Sequence, residues 1–465
     1  MFELEGGLSI TVRLNRYERR KMKKIKSILV PFGYPDYPQD VVSRFISESE
    51  RMLKSLDIEL KTTKAVINPD DAPPVAREIR RSEFDLIIAL LVSWVEAPNV
   101  IATLRDFFTR PILLWSHTTY LEDGVRITLG PMPAAGVLRE TFEEMGVNFK
   151  FVYGMPDSDK VKEGINSYAK AARAARFLQR SRVGLFGYYS MGMYTGAFDH
   201  TKLRRMLGPE IIHLDQYLIV RGAEDVKEER VKGFSEKARS EWELSEEVRD
   251  NDIATVMKLY LALKALVAEH KLNALTVKCQ YELSREYGVA PCIPLSMLGD
   301  EMPCSCEGDV PLILSQLILH HLTGGGVTSY GDVHDILDDN GIILAACGFA
   351  PLSLAQGRPR VSRHTALYEG LLNMSPYKEG RVTLARLASD KEGYKMHIAT
   401  GFASAPPPFH EIGCPPYAGM KVVLDGDADA FISSLFSQHY ALVYEDVRRE
   451  LEELCDLLGI RKVIS

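Results

Sequence analysis

The first third of the chain alternates apolar runs of strand length with segments whose apolar residues recur at a helical period. Runs at 27–32, 58–65, 86–92 and 111–115 read as strands, and 40–55, 74–81, 99–108 and 134–145 as helices between or after them. This rhythm predicts a doubly wound parallel sheet, because parallel neighbours need a crossover connection and a helix usually supplies it. It restarts near Pro156: an alanine-rich helix leads to about Arg180, and strands follow at 182–187 and 274–279. The charged stretch 224–251 between those strands reads as a solvated helix.

After about residue 340 the pattern changes. Runs 381–388 and 395–400 look like strands on either side of the turn-forming 390–393, followed by a proline cluster at 405–409, a loop at 414–417 and β-α units over 421–464. The prediction is an α/β protein with two doubly wound parallel-sheet domains, 1–155 and 156–340, and a β-rich, barrel-like C-terminal domain, 341–465. A chain of 465 residues is too long for one core, which agrees with three domains. Residues 1–22 read as weakly structured, with Met22 resembling a natural start.

Composition narrows the class of function. Fifty-six basic and 63 acidic residues are interspersed to a net charge of −7, which leaves no basic face for a phosphate backbone and argues against nucleic acid. The basic run 13–26 precedes only three apolar residues, 28–30, where a signal peptide needs roughly 7–15. Neither 86–95 nor 310–322 reaches the roughly 20 apolar residues of a membrane span. Seven cysteines, an odd number without scaffold density, point to a reducing compartment; the expectation is a cytoplasmic protein with no membrane partner. Cys304 and Cys306 form a lone C-x-C without the second ligand pair of a structural zinc site.

Other motifs resolve into structural readings. The glycines at 324–326 follow an apolar helix, so they suit helix termination better than a phosphate cradle, which precedes a helix. Gly184 and Gly187 lack the spacing of a dinucleotide fingerprint. Asp425, Asp427 and Asp429 begin like a calcium loop, but Ala430 and Phe436 stand where glycine and glutamate are required; the aspartates suit the start of a helix. His320 and His321 in a last helical turn suit packing or capping.

Three features at element ends could converge: Glu307 in 304–309, Asp332 in 329–333 and His439 in 437–441. Singly, each has a structural account, as helix N-terminal carboxylate, cap and core histidine. The segment from Cys306 to Val333, with Glu307-Gly308-Asp309, an amphipathic helix, Leu322-Thr323-Gly324 and Gly331-Asp332-Val333, resembles the metal-site segment of L-fucose isomerases. Ser190-Met191-Gly192, Asp199-His200, Leu207-Gly208, Gln438-His439 and the helix ending Leu457-Leu458-Gly459-Ile460 carry the likeness over 182–465.

That resemblance implies an aldose-ketose isomerase working through a cis-enediol, in which Glu307, Asp332 and His439 bind a divalent metal such as Mn2+ and Glu307 and Asp332 serve as acid and base. It further implies that Gln280 touches sugar hydroxyls, that Met191 lines an apolar side of the pocket and that Gln438 replaces a family asparagine. By the same resemblance the protein forms a homo-oligomer, a hexamer, with pockets completed by a neighbour. Two carboxylates and an imidazole suit a hard, open-coordinate cation on chemical grounds as well. A non-catalytic sugar-binding homologue, or a metal-dependent epimerase or aldolase, would use the same residues.

Overall fold

The computed structural model describes residues 24–364, 370–410 and 418–465, so the expectations for residues 1–22 and for the loop 414–417 with Cys414 lie outside the described residues. Strands Ile25–Phe32, Ile58–Thr62, Leu86–Leu91, Ile112–Ser116 and Phe149–Tyr153 form a parallel sheet with Leu86–Leu91 at its centre. That strand is buried along its whole length, which explains why its sequence is a continuous apolar run without alternation. Helices Ala72–Arg80, Ala97–Leu104 and Pro131–Glu144 cover one face, and Gln39–Ser55 and Asp159–Arg180 the other.

Asp159–Arg180 carries two apolar stripes. Val161, Ile165, Tyr168, Ala169 and Ala172 pack on the first sheet, while Ala171, Ala174, Ala175 and Leu178 join the next core. The second parallel sheet runs in the order Cys304–Cys306, Ala274–Val277, Arg182–Phe186, Glu210–Leu214. The stretch 224–251 is not one helix. Gly233, at φ 85°, separates the short helices Glu228–Val231 and Phe234–Glu241, and the strand Glu243–Leu244 follows.

The β-rich part begins at Thr328, earlier than the sequence suggested. Strands Gly380–Ser389, His439–Val443, Thr328–Leu337, Gly341–Ala346, Ala418–Leu424 and Tyr394–Ser404 pair in that order, and the last pairs back onto the first. The ring closes into a barrel, and Arg461–Ile464 adds in parallel to Tyr394–Ser404. Asp332, expected after a short strand of the second α/β unit, therefore lies inside a ten-residue barrel strand. The first four residues of that strand, Thr-Ser-Tyr-Gly, are buried without being aliphatic, and the rest are largely solvated, so the strand left no apolar run in the sequence.

Helix Val310–Leu322 packs between the second sheet and the barrel, touching Gly380–Ser389, His439–Val443 and Asp159–Arg180. Nearly all of it is buried, as expected for a helix apolar on every side. It ends as predicted: Gly324 and Gly325 have φ 70° and 101°, and His320 Nδ1 lies 2.9 Å from the Gly326 carbonyl. His321 stacks on Phe177, and Asp427 caps helix Ala428–Ser433 by accepting from the Ala430 N–H. No helix among the described residues is long and apolar enough to cross a membrane.

Candidate active site

The site forms where the second sheet meets the barrel. Strand Cys304–Cys306 ends in Glu307 and Gly308, both left-handed at φ 71° and 70°, before Asp309 caps the next helix. A side chain on Gly308 would collide with the Tyr188 carbonyl oxygen, so the loop admits only glycine there. Glu307 has no such excuse; a glutamate in this region is strained, and strain of this kind gathers at functional positions. The Glu307 carbonyl accepts the Ser190 N–H at 2.8 Å, pinning the loop after Arg182–Phe186 onto the site.

From the barrel side, Asp332 and His439 are direct partners across two antiparallel strands. His439 is wholly buried, with Nε2 3.2 Å from Glu307 Oε2 and 3.3 Å from Asp332 Oδ1. Neither approach has the alignment of a hydrogen bond, which leaves Nε2 without a hydrogen-bond partner among the described residues. The opposite nitrogen, Nδ1, lies 2.8 Å from Asp309 Oδ2. Asp309 is thus shared between His439, the Arg386 guanidinium at 2.8 Å and the Leu312 N–H at 2.9 Å. An ionised carboxylate only accepts, so Nδ1 donates and Nε2 is turned toward Glu307 and Asp332.

The charges follow from these contacts. Burial alone would raise the Asp309 pKa, but Arg386 and His439 pull it down to about 2. Burial alone would lower that of His439, but Asp332, Asp309 and Glu307 raise it to about 10. A raised basic group stabilises the fold fully below its ordinary value and loses that contribution as pH climbs through the folded one. Chelator-treated protein should therefore lose melting temperature between pH 6.5 and about 10, and His439→Asn should flatten the profile in that window; an unchanged slope would show that the imidazole is neutral.

Gln280, buried after strand Ala274–Val277, donates from Nε2 to Glu307 Oε1 at 3.0 Å, while its own Oε1 has no hydrogen-bond partner among the described residues. The Cys347 thiol lies 3.8 Å from the same Glu307 oxygen. Cys279, Cys306 and the Glu307 carboxylate fall within 4.8 Å of one another, and Cys306 Sγ meets the Tyr330 hydroxyl at 2.6 Å. Hydrogen bonding to Cys279 together with burial pushes the Cys306 thiol well above its ordinary range, so it stays neutral. These thiols wall the inner side of Glu307 without adding charge.

The structure thus brings Glu307, Asp332, His439 and Gln280 together, and it places Met191 and Gln438 differently. Met191 is 60% exposed on the loop that carries Ser190, at φ 51°. Gln438 is half-buried, with Nε2 2.7 Å from Met193 Sδ and Oε1 accepting from Ser437 Oγ. Sequence reasoning gave no role to Asp309 or Arg386. A signal for each existed: an aspartate before Val-Pro at a helix start reads as a cap, and Arg386 interrupts the apolar run Leu384-Ala385 and Leu387-Ala388 of a strand buried there.

No family model matches the chain. Its sequence is similar to those of sulfoquinovose isomerases. It is 26% identical over 440 residues to the one from Alkalicoccus urumqiensis, covering 93% of this chain and 98% of the relative. Identity is 23% over 449 residues with that of Priestia aryabhattai and 24% over 456 residues with that of Clostridium sp. (strain MSTE9), each covering 94% of this chain and 99% of the relative. The likeness thus takes in the first sheet, the second sheet and the barrel alike. These relatives are named for a different sugar from the family whose metal-site segment the sequence resembles.

Proposed function

We propose that this protein is a divalent-metal-dependent ketol isomerase that interconverts an aldose and its ketose, with a sulfonated hexose of the sulfoquinovose type as substrate. The observation that carries the proposal is the convergence of Glu307 and Asp332 on Nε2 of His439, which has no hydrogen-bond partner among the described residues and is oriented by the Asp309 contact to Nδ1. The names of the relatives support the same reaction class.

The donor set fits a cation of the manganese type. Two carboxylates and one imidazole would hold it and leave positions for sugar oxygens, and a buried imidazole nitrogen lacking a hydrogen bond is what such a ligand looks like without its ion. When bound, the cation would polarise adjacent carbonyl and hydroxyl oxygens of the sugar. The remaining work falls to the chain. A proton must move between C1 and C2 by way of a cis-enediol, and Glu307 and Asp332 are the acid and base that take and return it. Gln280 fixes Glu307 through Oε1, so Oε2 is the oxygen turned toward His439. Asp309 fixes the imidazole plane, and the neutral thiols keep water from the inner side of Glu307.

The test is an aldose panel that includes sulfoquinovose, run in deuterated water with Mn2+-loaded protein. The expected product is the ketose, carrying solvent deuterium, with turnover abolished by a chelator and restored by Mn2+. A second aldose would make the protein an epimerase, carbon-carbon cleavage an aldolase, and binding without product a non-catalytic sugar-binding protein; each of these outcomes overturns the proposal.

A further inference from the structure

We infer that Lys278 is the residue that reads the acidic group of the substrate, and that Glu282 occupies its ammonium until the substrate arrives. The inference rests on the isomerase reading only for the sugar's location, since the anion site itself stands on local observations. The Lys278 side chain is 1% exposed, so its charge requires an anion beside it. Its carboxylate partner is Glu282, whose own side chain is 54% exposed. The pair is therefore lopsided: the cation is fixed and dry, while the anion returns to water at little cost. An acid group arriving from solvent exchanges with Glu282 one for one, and the buried ammonium never loses its countercharge.

The surroundings suit such an exchange. The ammonium lies 4.3 Å from the centre of the Tyr188 ring and 5.4 Å from that of Tyr281, and these two residues are 56% and 38% exposed. They hold the cation by their faces and open on solvent. Tyr281 has φ 69° and ψ −92°, a backbone state that only strain explains in a tyrosine, and the π-helical turn Glu282–Glu286 follows at once. Strained residues and π turns concentrate where function requires them, and here they carry the displaceable carboxylate. The Tyr188 hydroxyl also reaches Glu282 Oε1 at 3.4 Å, so ring and carboxylate form one unit.

This cage adjoins the carboxylate site. Gln280, between Lys278 and Tyr281 in the chain, donates to Glu307, and the Tyr188 carbonyl packs against Gly308. A sugar reacting at Glu307 and Asp332 would send its far end toward the Lys278 cage. The buried Lys278 ammonium is a point charge suited to a monoanionic sulfonate, and the Arg285 guanidinium, 4.9 Å from the centre of the Tyr281 ring, is a second cation beside the cage.

The test is calorimetric binding of sulfoquinovose, its uncharged 6-deoxy counterpart quinovose, and glucose 6-phosphate to the full-length protein. Wild type should prefer sulfoquinovose to quinovose by about tenfold or more, and to glucose 6-phosphate as well. Lys278→Met should erase the preference over quinovose. Glu282→Gln, on the exposed side of the pair, strands the Lys278 ammonium and should lower the melting temperature of the free protein, while sulfoquinovose should bind it severalfold more tightly and restore that loss, because the resident competitor is gone. A Glu282→Gln variant that binds sulfoquinovose no better, or a Lys278→Met variant that keeps its preference, overturns the inference, and tighter binding of the phosphate overturns the assignment of a monoanion. Sulfoquinovose that is bound in this pattern but not turned over would sink the isomerase reading and leave the anion site standing.

Discussion

Glu307→Gln is expected to lower kcat/KM for ketose formation by about three orders of magnitude or more while leaving the protein folded. The substitution is nearly isosteric, keeps an oxygen to accept from Gln280, and sits no worse in the left-handed backbone than glutamate does. What it removes is one of the carboxylates that face His439 Nε2, and with it both an anionic ligand and a group able to carry a proton. Mn2+ affinity, read by titration with paramagnetic resonance, should fall together with the rate. Because Glu307 is also one of the groups holding His439 near a pKa of about 10, the high-pH loss of stability in chelator-treated protein should move to lower pH. Near-wild-type turnover in this variant would remove Glu307 from the reaction.

Arg386→Met should be the most destabilising single change considered, at about 3–5 kcal/mol by denaturant unfolding. Arg386 and Asp309 are each 1% exposed, and the guanidinium also donates to the Thr195 carbonyl at 2.9 Å. Without it, Glu307, Asp309 and Asp332 face one imidazolium, and Asp309 stays buried with part of its countercharge gone. The cost comes from the stranded anion and not from the worth of the pair, so Asp309→Asn in the same chain should recover a good part of it. If the double variant is no more stable than Arg386→Met alone, the loss lies in packing.

How much of this was legible beforehand depended on which physical signal each element left. The strand Leu86–Leu91 and the helix Val310–Leu322 stand out because burial on all sides demands unbroken apolar runs. Strand Thr328–Leu337 was hidden because its buried start is Thr-Ser-Tyr-Gly while its aliphatic residues Val333, Ile336 and Leu337 lie in the half that solvent reaches, and the barrel accordingly looked shorter than it is. Within the site, Glu307, Asp332 and His439 were nameable by resemblance, whereas their meeting is a matter of three-dimensional closure. The Asp309–Arg386 pair spans 77 positions, and no local period connects a cap aspartate to an inward-pointing strand arginine. Likewise, Lys278 sits at the end of a strand, where a lysine ordinarily marks solvent; only its burial shows otherwise.

The direct pairing of Asp332 with His439 has an evolutionary corollary. Side chains on a strand alternate faces, so inserting or deleting one residue in either strand upstream of that rung would flip one partner to the opposite face and separate the two. A change in length leaves the rung intact only if it falls in a connection between strands, and the connection 338–340 is itself held by Asn340, whose Nδ2 donates to the Leu424 and Gly426 carbonyls.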